Sequence, residues 1–530
     1  MRKALWVLDK ILSRKLPIRT REHLTQMASA QVHVSRKRTG ALLEKLAQEP
    51  GPHLLLGESE WQESVRIPLE YLGSAHSIIT GGTGSGKTMA ALLLIDAILR
   101  APEFSFGVLD AKGELFERTL YLISQTLDEL PQVEAQRLAD RVVVVDFSSP
   151  DPLTSYNIAS AWSGSDLDFF ATSRVGTFQE LLPSGDGLTL RGSAIVKNIL
   201  MLLAEHRLPF SYFDRVLSSE TFRVTLLGRS SQDDVRDYFH FHFPNEGKAT
   251  IAAVRARVVS ALLSSLSLKL ALSGETAPDF RRLQDEGKIV LINCAGPNIS
   301  RTVARTLQAL VLSDIRQGVF ARQDNSPYLL VCDEAQNFFR TRQLRENMAE
   351  LLTQSRSFGA FFLYLTQNLT TAVQETEMLE TLHTNIRWSL SLRGTSKDGA
   401  FLQPALPLTG RMPKPRMNPY APVEFYSSSE ERSILLQGLA HLPDRTGWLW
   451  LKSMTGEAMK IKTRTLDLPE RKVFQETVDR LRADASIGHR RSRAEYLAEI
   501  ARRNEEFTEE ETNHIERLKK AYQEEQGVSR

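Results

Sequence analysis

The thirteen residues His76–Thr88 (H-S-I-I-T-G-G-T-G-S-G-K-T) hold the side chains in this chain best suited to phosphate chemistry. Gly81-x-x-x-x-Gly86-Lys87-Thr88 has the P-loop spacing. Glycines let the backbone fold tightly enough for successive N–H groups to face an anion. Gly81, Gly82, Thr83, Gly84, Ser85 and Gly86 are expected to cradle the phosphates of ATP. Lys87 is expected to reach the β- and γ-phosphates, and Thr88 to ligate Mg²⁺. Two further stretches carry complementary groups. Asp333-Glu334 follows the apolar run Tyr328–Cys332. Asp333 is expected to hold Mg²⁺, directly or through water, and Glu334 to polarise the attacking water as general base. Gln367 ends another apolar run, where a side-chain amide could sense the γ-phosphate. Hydrolysis also needs positive charge at the transition state, often from an arginine supplied in trans. Arg356 is the first candidate, with Arg387 and Arg393 as others.

These groups need strands to hold them. Ser77–Thr80 leads into the glycine-rich turn, and an apolar helical run, Met89–Leu99, follows. Ser105–Asp110 and Val142–Asp146 are apolar runs ending in Asp, with a helical stretch between them. Lys288–Asn293, Tyr328–Cys332, Ala360–Gln367 and Ile386–Leu392 continue the series. Apolar strands alternating with helices predict an α/β fold with a mainly parallel sheet covered on both faces. Lys87 and Asp333 are 246 residues apart, more than a bare nucleotide-binding core needs. From about Ala159 to Asp285 the periodicity is helical, with Ile251, Val254, Val258, Leu262 and Leu266 at three- and four-residue steps. The expectation is a core split in sequence by an all-α insertion. The predicted organisation is a basic helical region (1–62), an N-terminal core segment (63–158), the insertion (159–286), a C-terminal core segment (287–468) and a charged helical tail (469–530). Gly447–Lys452 and Ala458–Thr463 read as a closing hairpin.

Composition excludes several classes. Apolar residues make up 42% and charged residues 25%, as in an ordinary soluble globular protein. Net charge is only +2, so the chain as a whole does not announce a nucleic-acid binder. Charge is nonetheless uneven. Residues 1–38 hold ten Lys/Arg and two acids, and 504–516 hold six Glu and no Lys or Arg. Each block reads as a solvated tail or a docking element. Lys248, Arg255 and Arg257 read as a solvated helix face or a DNA contact. The proline-rich loop 404–422, with Arg411, Lys414 and Arg416, leans towards phosphate contact. Cys294 and Cys332 form no metal-binding or disulfide pattern and are expected to be buried thiols. No apolar run reaches membrane-spanning length. A cytoplasmic location is expected.

Taken together, His76–Thr88, Leu109-Asp-Ala-Lys-Gly-Glu-Leu115, Val331-Cys-Asp-Glu-Ala-Gln336 and Ser355-Arg-Ser-Phe-Gly…Leu-Thr-Gln367 resemble a known family. The chain is similar, over about residues 65–465, to the type IV coupling proteins of bacterial conjugation (TraG/TraD-like). These belong to the HerA/FtsK clade of RecA-like motor ATPases. The second motif usually reads Asp-Pro-Lys-Gly-Glu in the family, and Ala111 stands here in place of proline. The resemblance implies a RecA-like P-loop core and assembly as a homohexamer. It also implies ATP hydrolysis at subunit interfaces, where Arg356 would act in trans, and transport of DNA through the ring. Partners implied are DNA, a relaxase and secretion-channel proteins. Family members that dock on the channel usually carry N-terminal transmembrane helices, and no integral membrane segment is read here. Either residues 1–38 attach the protein peripherally at the inner membrane, or it is a soluble HerA-like motor paired with a nuclease or other effector. A protein-exporting secretion ATPase and a non-motor nucleotide-binding adaptor are further readings.

Overall fold

In the computed structural model the described residues are 36–525, apart from 162–165, 182–187, 264–265, 275, 298, 340–341, 368–372, 374–375, 397, 410–411, 413, 415–423 and 485–489. Arg411, Arg416 and most of the basic block 1–38 therefore lie outside them. The strands in chain order are β1 (His53–Ser59), β2 (Ser64–Pro68), β3 (Ser77–Thr80), β4 (Ser105–Asp110), β5 (Val142–Asp146), β6 (Ile289–Asn293), β7 (Tyr328–Cys332), β8 (Ala360–Thr366), β9 (Trp388–Leu392), β10 (Thr446–Leu451) and β11 (Met459–Thr463). The chain divides into two compact units.

The first unit comprises Met1–Ala101 and Phe361–Asp467. Its strands run in the order β2-β1-β11-β10-β9-β3-β8. β3 is parallel to both neighbours, β8 and β9, and the others are antiparallel. The closing hairpin expected near residue 450 is β10–β11. Residues 36–48 are helical, but the helical expectation for 1–62 fails at β1. There Leu54 and Leu56 point inward at two-residue spacing, a period a strand satisfies and a helix does not. The helix Lys87–Leu99 is apolar almost all round, and every residue from Ala90 to Ile95 is buried. Leu92, Leu93, Leu94, Ile95 and Ile98 are each at most 2% exposed. At about 2 kcal/mol apiece their burial contributes on the order of 10 kcal/mol, against about 1 kcal/mol for a missing N-cap side chain. Packing therefore holds this helix, and its N-terminus can be left bare.

The second unit comprises Pro102–Ala360 and Leu468–Arg530. Its four strands run β7-β4-β6-β5, all parallel. β4, β6 and β7 are buried at every position, as their unbroken apolar sequences require. Asp110, Asp146, Asn293 and Asp333 end or follow these strands, so they share the C-terminal edge, where open α/β sheets bind ligands. Among the described residues between 159 and 286 there is no strand. Val254, Val258 and Leu262 are buried at helical spacing.

A buried ion pair ties that helical segment to the sheet layer. Arg174, on the helix Leu167–Leu181, meets Asp314 on Arg301–Phe320, with 1% and 2% of the side chains exposed. The Tyr156 hydroxyl also donates to Asp314. Burial raises the Asp314 pKa, while Arg174 and Tyr156 pull it down. Asp314→Ala strands a buried guanidinium. It is expected to lower stability by about 3–5 kcal/mol, measured by chemical denaturation of the purified protein.

The C-terminal segment packs on this unit as two helices, Arg471–Ala483 and Arg493–Glu525. Arg482 donates to Asp146 (2.8 Å), Ser148 (2.6 Å) and Glu117 (3.3 Å). The acidic block begins at a packed site. Tyr212 donates to Asn504 at 2.6 Å, and Phe507 contacts the rings of Tyr212 and Phe222. Arg255 pairs with Asp214 at 2.6 Å, which favours a structural role for it over DNA contact.

Candidate nucleotide site

In the first unit β3 delivers the chain into the glycine-rich turn. Gly81 N donates to Thr366 O (3.3 Å), Gly82 N to Arg393 O (2.7 Å) and Arg445 N to Ser85 O (2.9 Å). The turn is thus held from three sides. Gly86 sits at φ +105°, and a Cβ there would lie 2.9 Å from Arg445 Cγ. Glycine is required on both counts. Gly86 also precedes the helix Lys87–Leu99, whose start no side chain caps. A bare helix N-terminus beside a ring of loop N–H groups suits an anion. Ser85 Oγ is buried and has no hydrogen-bond partner among the described residues. The Lys87 ammonium donates to Gly81 O (2.7 Å) and Gly82 O (3.0 Å), so it lies over the loop. Thr88 is half-buried in the first helical turn. These donors fit a polyphosphate, and Thr88 fits a hard cation. β3 and β8 pair Thr80 with Thr366, so Gln367 comes level with Gly81. The P-loop residues and Gln367 are therefore brought together in one unit.

The second unit brings together another set. Asp333 and Glu334 follow β7, and Asp110 ends the adjacent β4. Asp333 N donates to Leu109 O (3.0 Å), which locks the turn to β4. The buried Gln308 amide donates to Asp333 O (2.9 Å) and accepts from Asn337 (3.1 Å). Glu334 has φ +52°. A left-handed conformation costs a non-glycine residue about 1–2 kcal/mol, and such strain clusters at functional sites. Asp110 is fully buried and accepts from Lys112 N (2.7 Å) and Phe116 N (2.9 Å). It does the capping that Gly113, at φ +89°, cannot do for the helix Glu114–Glu129. Burial pushes Asp333 up to about 7, with the charges of Asp110 and Glu334 adding to it and Lys112 opposing. A crowded, desolvated acid of this kind suits a cation ligand. Lys112 forms an ion pair with Glu334. Burial pulls the Lys112 pKa down, but Glu334, Asp333 and Asp110 outweigh it and leave the ammonium raised.

Gln308→Ala removes the amide that holds the acid turn. Unpaired buried groups cost about 1–3 kcal/mol, so the strained Glu334 conformation is expected to relax. The check is kcat for ATP, which should fall while KM holds.

The arginines are placed differently. Arg356 is exposed on the turn Ser355–Phe358. Tyr328 N donates to Gly359 O, so this turn lies at the start of β7 and Asp333 lies past its other end. Five strand residues separate the two by roughly 16 Å. Arg356 cannot serve the acid pair of its own chain. Arg393 pairs with Asp444 at 2.7 Å, and Arg387 lies over the Tyr71 ring. Sequence reasoning assigned no site role to Asp110, Lys112, Gln308 or Arg445. The first two had a signal, an apolar strand ending in Asp just ahead of Lys-Gly-Glu. Arg445 had none.

Residues 53–171 match the family described as the central domain of the helicase HerA. The match begins at the first residue of β1 and includes the P-loop and the Asp110–Glu114 motif. Among solved structures, the unbound bacterial conjugative coupling protein TrwBdeltaN70 is similar at 15% identity and a TM-score of 0.50, over 82% of this chain and 92% of that one. VirB4 of Thermoanaerobacter pseudethanolicus is similar at 14% identity and a TM-score of 0.50, over 80% and 99%. The chain has the RecA-like fold of P-loop ATPases. Its parallel strands, interrupted between 159 and 286 by helices, are those of that core. TrwB has also been solved with ADP and Mg²⁺, a structure similar to this chain at 15% identity and a TM-score of 0.48 over 82% and 94%. No curated protein sequence matches the chain.

Proposed function

We propose that this RecA-like ATPase is an ATP-driven DNA translocase of the type IV coupling kind, working as a homohexameric ring. The observation that carries the ATP-hydrolysing part of the reading is the strained acid turn Asp333-Glu334, held beside Asp110 and Lys112, in a chain that also holds a complete P-loop. A structural turn has no need of three converging acids and a left-handed glutamate. Likeness in fold to a conjugative coupling protein and to VirB4 supports the secretion-related setting.

In this reading the N–H groups of Thr83 and Gly84 and the helix start at Gly86 bind the triphosphate, while Gly81 and Gly82, whose N–H groups are held by Thr366 O and Arg393 O, shape the loop, and Ser85 Oγ adds a donor. Lys87 moves from the loop carbonyls to the β- and γ-phosphate oxygens. Thr88 and Asp333 hold Mg²⁺, which when bound neutralises phosphate charge and orients the γ-phosphate. Glu334 accepts a proton from the attacking water. Gln367, level with Gly81, reports the γ-phosphate. Arg356 comes from the neighbouring copy, consistent with its distance from its own acid pair. Loop 404–422, through Arg411, Lys414 and Arg416, is a candidate DNA contact. Relaxase and channel proteins are the proposed partners.

Among the described residues no helix is long and apolar enough to cross a membrane. We propose a cytoplasmic protein, peripheral at the inner membrane when it serves a channel. The match to the HerA central domain supports a second reading, a soluble HerA-like DNA translocase acting with a nuclease or other effector. Co-purification separates them: relaxase and channel proteins support coupling, and a nuclease supports the second reading. The DNA-motor claim itself is tested by ATPase assays. Turnover is expected to rise with DNA and to lose that rise at high salt, as phosphate contacts weaken. Equal rates with and without DNA at every salt concentration would overturn it.

A further inference from the structure

The contacts of Glu334 do not fit a base in working position. Lys112 forms an ion pair with one carboxylate oxygen, Oε1. The Gln336 amide donates to the other, Oε2. Both oxygens that could take a proton from water are thus engaged. The lysine is held in place by its neighbours. Its backbone N–H is held by buried Asp110, and Gly113 turns the chain immediately after it. β4 and β7 are paired neighbours, so the Lys112 and Glu334 turns sit side by side.

From this arrangement we infer that Lys112 is a restraining residue that holds Glu334 in a resting position and suppresses DNA-independent ATP turnover. This rests on the reading of Glu334 as the general base. The restraint opens when the ammonium leaves. Lys112 is 46% exposed, against 16% for Glu334, so a phosphate oxygen can draw it away. Nucleotide is present in every turnover, so a restraint opened by nucleotide alone would regulate nothing. The opening is therefore tied here to DNA binding, the variable that the test below changes. With the ammonium withdrawn, Glu334 is free to swing onto water.

The test uses the full-length protein and saturating ATP with Mg²⁺, with and without DNA. Lys112→Ala is expected to raise the DNA-free kcat roughly three- to fivefold, the most that releasing a half-exposed ion pair should give. KM for ATP should be unchanged, and stimulation by DNA should shrink by a similar factor. Lys112→Arg keeps the charge and should return the DNA-free rate towards wild type. A thermal melt of each variant excludes unfolding as the cause. If folded Lys112→Ala hydrolyses ATP at or below the wild-type DNA-free rate, the restraint is wrong, and a rate below it shows that Lys112 instead supports catalysis. If wild type turns over ATP and Glu334→Gln does so equally well, the reading of Glu334 fails, and that result is distinct from the first.

Discussion

Glu334→Gln is expected to stop ATP turnover while leaving nucleotide binding intact. The substitution is nearly isosteric, so the acid turn, held by Asp333 N to Leu109 O and by Gln308, should keep its shape. The amide cannot take a proton from water. General-base catalysis supplies about 10²- to 10⁴-fold, and kcat should fall by that factor. Affinity for a fluorescent ATP analogue should stay within about twofold, because Glu334 contributes nothing to ground-state phosphate binding in this scheme. The ion pair with Lys112 is also lost, but with no base left to release, that loss cannot restore turnover.

Lys87→Ala is expected to fail earlier in the cycle. The ammonium lies over the loop, 2.7 Å from Gly81 O and 3.0 Å from Gly82 O. It needs only a short movement to meet a phosphate. Charge-assisted hydrogen bonds contribute about 1.5–3 kcal/mol each, and 1.4 kcal/mol is tenfold in affinity. Nucleotide affinity should drop roughly ten- to a hundredfold, and turnover should become undetectable. Equilibrium titration with the fluorescent analogue separates this from Glu334→Gln, where affinity holds. Retention of wild-type affinity by Lys87→Ala would remove the P-loop from the proposed mechanism.

Much of the fold could be read from the sequence because the chemistry sits at the ends of unbroken apolar strands. Val142–Asp146 and Tyr328–Cys332 could hardly be anything but buried parallel strands, and their acids had to fall at one edge. β1 was not legible. A helix (36–48) precedes it, and its own sequence, His53-Leu-Leu-Leu-Gly-Glu-Ser59, does not alternate regularly. The ion pair of Lys112 with Glu334 was hidden for another reason. It joins residues 222 apart through the pairing of β4 with β7, and strand order is not written in local periodicity. Arg482 on Asp146 is a contact of the same kind. Arg445, at φ +62°, braces the P-loop through its backbone, and no side-chain pattern announces that. The Arg174–Asp314 pair was equally silent, since charged residues in helices usually face water.

The central claim is that two distant stretches of this chain serve one triphosphate. The most direct test is a structure of the full-length protein with Mg²⁺, ADP and beryllium fluoride. Thr88 Oγ1 is expected about 2.0–2.1 Å from the ion. Asp333 should be on the same ion, directly or through one of its waters, with Glu334 turned onto the water that faces the fluoride group. If Asp333 lies farther from that ion than a single bridging water can span, roughly 5 Å, Asp333 and Glu334 do not belong to the hydrolytic site, and the proposed motor has no catalytic base.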